Sequence, residues 1–485
     1  MPMLAVLLCF IAGIVAYGYF DVPIWLLWTS LPVLLVMVWY TLRSAVVYIY
    51  AGLLTAVCGY IICDVEDVES DIPNRTPVEM TLSVEGRVRS VDSITRADGR
   101  IEAWSDGDGW HSVNERVALF AERSSLEQGM HLRLYGTLYH YDSPNDRFEQ
   151  FMRSRGYVGR LFMDGVAVLD DASYEDEGLR SYAQRNIRRV VIDTAAHSTV
   201  EAMVVGERGT MPEPLAKAYS HTGMMHVLAV SGLHLGIVAW LLLALLQPMV
   251  LLRNGHRWRN VVAVVAMWLF VVVSGASASV IRAAVMFSML MLASESSRNY
   301  NSLNALSATL FVMLVYNSSM LYDISFQLSA TAVFGIVVWA VPLMQRLNPR
   351  ARLRRWLLTS IVVGVVATLW VMPIVSYTFG IVSFVGVFIT PIIVVIAYPV
   401  IAFGLLAVIV PAPLNTPFIA VAEWFASWQN GIVEGGEMLP CAYAEYRMSD
   451  AAIVAYYVVF MIITVTVWSS KRDNRITLRK TDECL

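Results

Sequence analysis

The chain has 485 residues, of which 57% are apolar and only 15% charged, and its formal net charge is -4. A soluble protein carries about 25% charged residues, so this composition excludes a wholly soluble enzyme, while the length leaves room for more than one domain. The five cysteines (Cys9, Cys58, Cys63, Cys441, Cys484) form no CxxC and no ligand-like cluster, which argues against a disulfide framework and a zinc site, and no cofactor is expected.

Three apolar runs come first, near residues 3–20, 24–40 and 45–63. Each approaches the roughly 20 residues that a crossing needs, so residues 1–63 are expected to be three transmembrane helices. Met1 to Phe20 has no basic residue and no short apolar core ending in a small-residue cleavage site, so it reads as a retained span. From Asp64 to Glu175 the composition turns charged, with short alternating runs such as "VEMTLSVEGRVRSVD" and "MHLRLYGTLYHYD". Alternation broken by Gly and Asp predicts half-buried strands. Five or six of them make a small β domain over 64–175, of the oligonucleotide/oligosaccharide-binding (OB) barrel type or a sandwich. The segment carries ten more carboxylates than arginines, whereas a domain gripping nucleic acid by charge should be basic. Its candidate DNA contacts are Arg87, Arg89, Arg133, Arg153 and Arg155.

Residues 176–225 have arginines and apolar residues at helical spacing, and predict amphipathic helix along the membrane surface. Apolar stretches then recur through residues 226–470, with breaks at "SGASASV" (Ser274 to Val280) and "AYPV" (Ala397 to Val400) that read as interrupted helices. Such breaks survive at membrane depth only where protein or water satisfies the backbone. The stretch near 418–438 spaces Trp424, Phe425, Trp428 and Ile432 helically and predicts an interfacial helix. Residues 471–485 form a basic tail. Placing Arg43 and the basic loops 253–260, 346–355 and 471–480 in the cytoplasm puts the β domain outside. With two crossings or none over 381–410, both termini are then cytoplasmic and about twelve segments meet the membrane.

Several side chains in the apolar region cost energy in hydrocarbon. His226 and His234 would share a face if their eight-residue separation lay on one helix, with Ser231 beside His234. Arg282 follows the small-residue break, Ser279 precedes it by one turn, and Asp323 and Gln327 open another span. Each has a structural reading: Ser231 bonding back to its helix, histidines pairing between helices, Asp323 capping, Arg282 snorkelling or pairing with Asp323. Together they read as the lining of a hydrated path.

"HTGMMHVLAVSGLHLGIV" resembles the signature of the ComEC competence proteins, inner-membrane channels for DNA uptake. Gly223, His226, Leu228, Ala229, Ser231, Gly232, Leu233, His234 and Gly236 fall on the family pattern. "EAMVVGERGTMP" is similar to the family's "GDR" stretch, with Glu207 where Asp is usual. "SASVIRAAVM" matches its Ser-x-x-Arg-Ala segment through Ser279 and Arg282. The run ending "YDISFQLSA" resembles "DxGFQLSF", with Ser325 in place of the glycine, and Thr390 stands where an Asn precedes a span proline. "SPNDRFEQFMRSRGYVGRLF" is similar to the end of the family's extracellular domain, departing at "NDR".

The resemblance implies a polytopic helical membrane protein with an inserted OB-like β domain. It implies a channel carrying single-stranded DNA across the bacterial inner membrane in natural transformation. The expected partners are single-stranded DNA, the lipid bilayer and other competence proteins: a DNA receptor, a cytoplasmic motor and a separate nuclease. Many members continue into a metallo-β-lactamase-like domain; this sequence has no HxHxDH-type cluster, so no nuclease or other enzyme activity is expected of it. A bare polyanion cannot cross lipid, since burying one charge costs of order 20 kcal/mol before relaxation. Arg282 could fork onto phosphate, the histidines could donate or stack, and Ser231 and Gln327 could bond phosphate or sugar, while Gly232 and Gly236 would allow close approach. Two other functions use the same residues: an intramembrane hydrolase with a Ser231–His234 dyad oriented by Asp323, and a small-solute or metal transporter built on the two histidines.

Overall fold

The computed structural model describes residues 2–20, 22–41, 46–66, 70–84, 89–91, 94–107, 109–122, 130–141, 147–154, 156–170, 178–251, 253–295, 301–347, 351–464 and 466. The three leading apolar runs are helices α1 (Pro2–Tyr17), α2 (Ile24–Tyr40) and α3 (Val47–Glu66). Strands β1 (Pro77–Val84), β2 (Arg89–Val91), β3 (Ile94–Ser105), β4 (Trp110–Glu122), β5 (His131–His140) and β6 (Tyr157–Asp170) follow, with helix α4 (Arg147–Ser154) between the last two. The strand order is β1-β5-β6-β4-β3-β2, and β1 also pairs with β3, so the run of pairings returns to its start. Among the described residues, β4 and β6 are the pair that runs parallel. Alternation fills the inside with Met80, Leu82, Ile101, Val117, Leu119, Leu132, Leu138 and Leu161, all fully buried. The neighbours of each along its strand point outward.

The chain divides into two compact units: Met1–Gly178 with Ser307–Gln327, and Leu179–Leu306 with Leu328–Leu485. The second holds α5 (Leu179–Arg188), α6 (Thr194–Val204), α7 (Glu213–His221), α8 (Met225–Leu228), α9 (Gly232–Leu245), α10 (Gly255–Val273) and α11 (Ala278–Glu295). Helices α12 (Ser302–Tyr316) and α13 (Ile324–Gly335) come next, and a π turn joins α13 to α14 (Val341–Leu347). Then come α15 (Arg352–Phe379), α16 (Gly386–Ile409), α17 (Thr416–Glu437) and an apolar helix α18 (Asp450–Thr464). Among the described residues, five helices are long and apolar enough to cross a membrane: Val47–Asp64, Gly255–Val273, Ile324–Leu347, Arg354–Phe379 and Gly386–Ile409. With the shorter apolar helices beside them, the protein is a mostly helical, multi-pass membrane protein with a small β domain.

The break expected at Ser274 to Val280 is present. Helix α10 stops at Val273, Gly275 and Ala276 take positive φ (83° and 49°), and α11 starts at Ala278. The break expected at Ala397 to Val400 is not. Helix α16 runs unbroken for 24 residues with Pro391 and Pro399 inside it. A proline removes one backbone donor, and the flanking apolar turns, packed on α6 and α17 through Ile393, Ala397, Val400 and Ile401, hold the helix together. This stretch is therefore one helix of candidate membrane-spanning length, where two crossings or none were expected.

A second difference concerns residues 176–225. Helix α6 does not lie on a surface: every residue from Ala196 to Val204 is buried. Its small Ala, Ser and Thr side chains let neighbours close on all sides, and Gly404 of α16 has no Cβ where Val204 Cγ2 sits 2.5 Å from that position. Asn186 of α5 secures the end of α16, where the last carbonyls of a helix lack intrahelical donors. Its Nδ2 donates to the carbonyls of Ala407 (2.9 Å), Val408 (3.1 Å) and Val410 (2.8 Å).

Candidate functional site

On the β domain, the outward residues of four strands form one row. Registry places Arg96 of β3 opposite Phe120 of β4, Phe120 opposite Phe162 of β6, and Arg160 of β6 opposite Tyr139 of β5. The Phe120 and Phe162 rings stack at 5.3 Å, Tyr139 meets Phe162 edge-on at 5.4 Å, and the Arg96 guanidinium lies 4.8 Å from the Phe120 ring centre. Arg160 sits over Phe148 of α4 at 5.1 Å. Tyr139 (42%) and Phe162 (43%) keep large exposed areas. Rings held open to solvent beside arginines can stack bases and attract phosphate together.

These are not the arginines singled out from the sequence. Arg87 and Arg155 lie outside the described residues, and Arg89 is placed only by its pairing with Arg96. Arg133 is already neutralised: its Nε donates to Glu79 Oε1 at 2.6 Å, which holds the Glu79 carboxyl below its usual range, and it covers Trp110 at 5.1 Å. Arg153 closes the last turn of α4, where a cation suits the helix dipole. The row that the structure assembles was present in the outward positions of "TRADGR", "VALFAER" and "GRLFMD", but only strand registry makes it one row.

In the second unit, the stretch carrying the two histidines is not one helix. It breaks at Ala229–Ser231 between α8 and α9, so His226 and His234 do not share a helical face. His226 is exposed, and its Nδ1–H donates to the Gly223 carbonyl at 2.8 Å. His234 is fully buried at the third position of α9, and its Nδ1 receives the Ser231 backbone N–H at 3.3 Å. That bond returns the helix-start residue to the first turn, as in a capping box. Ser231 Oγ lies 3.2 Å from the same Nδ1. The hydrolase reading needs that contact, yet the same nitrogen serves the cap. His226 and Arg208 lie within electrostatic reach of His234.

Arg282 of α11 is 5% exposed, and its Nε and Nη1 have no hydrogen-bond partner among the described residues. Its Nη2 lies 3.8 Å from where a Cβ on Gly232 would stand. A Cβ at Gly232 would meet Ala283 Cβ at 3.4 Å and one at Gly236 would meet Phe287 Cζ at 3.9 Å, both ordinary contacts, so neighbouring helices do not by themselves require these glycines. Ser279 bonds Ser329 of α13, Oγ to Oγ, at 3.0 Å.

Asp323 and Gln327 belong to the first unit and have local roles. Asp323 Oδ1 accepts the Phe326 N–H at 3.0 Å, the capping alternative, and Gln327 Nε2 donates to the Leu321 carbonyl at 2.9 Å.

A polar seam between α6 and α17 went unread in the sequence. Glu423 accepts from His197 Nδ1 (2.7 Å), Asp193 N–H (2.9 Å) and Ile192 N–H (3.1 Å). Two turns on along α17, Asn430 Oδ1 accepts from Thr199 (2.9 Å) and Tyr219 (2.8 Å), whose hydroxyl takes Gln429 Nε2 at 3.0 Å. "HST" and "WQN" carried this signal, but single polar residues in two amphipathic helices do not reveal that they face each other.

Three comparisons bear on kinship. Over 238 residues, 48% of this chain, the protein is 26% identical to ComE operon protein 3 of Bacillus subtilis (strain 168). Over 246 residues, 50% of the chain, it is 29% identical to an uncharacterized protein of Aquifex aeolicus (strain VF5). The chain matches 29% of the first relative's length and 56% of the second's, and no solved structure matches it. A family model described as "Competence protein" matches residues 203–471, more than half the chain, and the matched region contains His226, Ser231, His234 and Arg282. The chain belongs to the ComEC-type competence protein family.

Proposed function

We propose that this protein is a bacterial inner-membrane channel that carries single-stranded DNA into the cytoplasm during natural transformation. In this reading it works beside a DNA receptor, a cytoplasmic motor and a separate nuclease, and it is not itself an enzyme. The observation that carries the proposal is the row Arg96–Phe120–Phe162–Tyr139 on a β domain joined to a membrane unit of the competence family. A duplex hides its base faces, so stacked rings in the open suit a single strand. The row also answers the domain's acidity: the net charge is negative, yet two of its arginines lie on the aromatic face. The closed circuit of strand pairings, with β4 and β6 parallel, fits an OB-type barrel.

In the membrane unit His234, the exposed His226 and Arg282, whose Nε and Nη1 have no hydrogen-bond partner among the described residues, supply polar groups that a hydrated route needs. The test is entry of labelled DNA into competent cells lacking the chromosomal gene and carrying a plasmid copy. His226→Ala, His234→Ala and Arg282→Ala are expected to abolish entry while the protein still reaches the membrane. Wild-type entry in all three variants would reject this route. Loss of metal or small-solute uptake in place of DNA entry would favour a transporter.

A further inference from the structure

Helix α9 begins where the family signature ends its break. Its first intrahelical bond is Leu235 N–H to the Ser231 carbonyl at 3.2 Å, so the N–H groups of Gly232 and Leu233 have no intrahelical acceptor. A helix start is electropositive and suits an anion. By itself that says nothing, because every helix has one. Here a second positive group points at it. Arg282 reaches from α11 to within 3.8 Å of the missing Cβ of Gly232, is 95% buried, and has two nitrogens without acceptors. A cation placed against the positive end of a helix is repelled, and a buried guanidinium without acceptors is costly. One anion between them relieves both.

The glycine fits this account. Gly232 is not held by backbone conformation, since its φ is not in the left-handed region. Packing does not demand it either, since a methyl group would meet Ala283 at an ordinary 3.4 Å. What a methyl would occupy is the space in front of Arg282 Nη2. Ser231 Oγ, at the same helix start, adds a hydroxyl.

We propose that the N-terminus of α9, Arg282 and the open Cα of Gly232 form a station for one phosphodiester group. The guanidinium fork binds two anionic oxygens and the free N–H groups of the first turn bind the other face. With the conduit reading, on which the choice of ligand rests, the group is a backbone phosphate of the moving strand. The station holds one phosphate at a time whatever base it carries, so it would grip every sequence alike.

The test uses the full-length protein in phosphate-free maltoside detergent, with dimethyl phosphate as the probe. This molecule has one phosphodiester and no base, so the aromatic row of the β domain does not contribute. Binding is followed by broadening of its phosphorus resonance. Wild type is expected to broaden the signal saturably. Arg282→Gln and Gly232→Ala are each expected to weaken binding at least tenfold, with Arg282→Lys in between because it keeps charge but loses the fork. Equal binding by wild type and Gly232→Ala, in protein of unchanged thermal stability, overturns the station. So does absence of saturable binding by wild type.

Phosphorus analysis of the purified protein separates the two sources of this chemistry. One lipid phosphodiester per chain in wild type, lost in Arg282→Gln, would place a headgroup in the station and overturn the assignment to DNA. Vesicle entry of an oligonucleotide tests the conduit separately: no entry with intact dimethyl phosphate binding fails the conduit and leaves the station standing.

Discussion

Glu423 is the buried acceptor that fastens α17 to the start of α6, and removing it tests the seam directly. It is 3% exposed and accepts three bonds, from His197 Nδ1 and from the backbone N–H groups of Asp193 and Ile192. Hydrogen bonds to a charged group contribute about 1.5–3 kcal/mol each, but they are not additive. Leaving one buried donor without an acceptor costs about 1–3 kcal/mol, so losing the acceptor of three should cost roughly 3–5 kcal/mol once non-additivity is allowed for. Glu423→Ala leaves three donors facing an apolar gap and should fall in that range. At about 2–4 °C per kcal/mol for a large domain, the melting temperature in detergent should drop on the order of 10 °C. Glu423→Gln keeps the shape and one acceptor oxygen, so it should lose about half as much. His197→Ala combined with Glu423→Ala should be less destabilising than the sum of the two by about 1–3 kcal/mol, because the second loss removes a donor already orphaned. If Glu423→Ala melts within about 2 °C of wild type, or if the two changes simply add, the buried bridge does not exist as described.

Phe162→Ala should weaken binding of an oligothymidylate to the whole protein by roughly five- to a hundredfold, one base's stacking of about 1–3 kcal/mol, measured by fluorescence anisotropy; unchanged affinity would dissociate the aromatic row from DNA. Arg96→Gln should flatten the salt dependence of that binding by about 0.7 in the log–log slope for one lost single-strand contact, read from a salt titration. Gly404→Ala puts a Cβ 2.5 Å from Val204 Cγ2 and should cost about 1–3 kcal/mol by overpacking, whereas Gly236→Ala meets only Phe287 Cζ at 3.9 Å and should leave thermal stability within about 0.5 kcal/mol. Asn186→Leu should destabilise by about 1–3 kcal/mol, since three carbonyls at the end of α16 lose their donor.

Much of the architecture was legible in the sequence because it follows from local periodicity. The three leading runs, the six strands between them and the later apolar helices are patterns of two or 3.6 residues repeated along the chain. The stop after Val273 was legible too, since small residues and glycine sit where the backbone must turn. Prolines misled at Ala397–Val400, because a proline lowers helix stability locally and neighbours on α6 and α17 restore it. At α6 the amphipathic pattern misled: small polar residues suit both a wet surface and a tight helix contact, and α6 is the second.

The sequence by itself determined which segments are apolar helices and which are strands, the kinship carried by Gly223 to Gly236, and which side chains are too polar for an apolar run. It could not decide what those side chains face. Arg282 turned toward Gly232, Asp323 Oδ1 accepted the Phe326 N–H of the helix that follows it, and four strands brought Arg96, Phe120, Phe162 and Tyr139 into one row. Periodicity places a side chain on a face of its own element. Which other element meets that face is set by registry and packing between residues far apart in the chain, and those contacts exist only once the fold is formed.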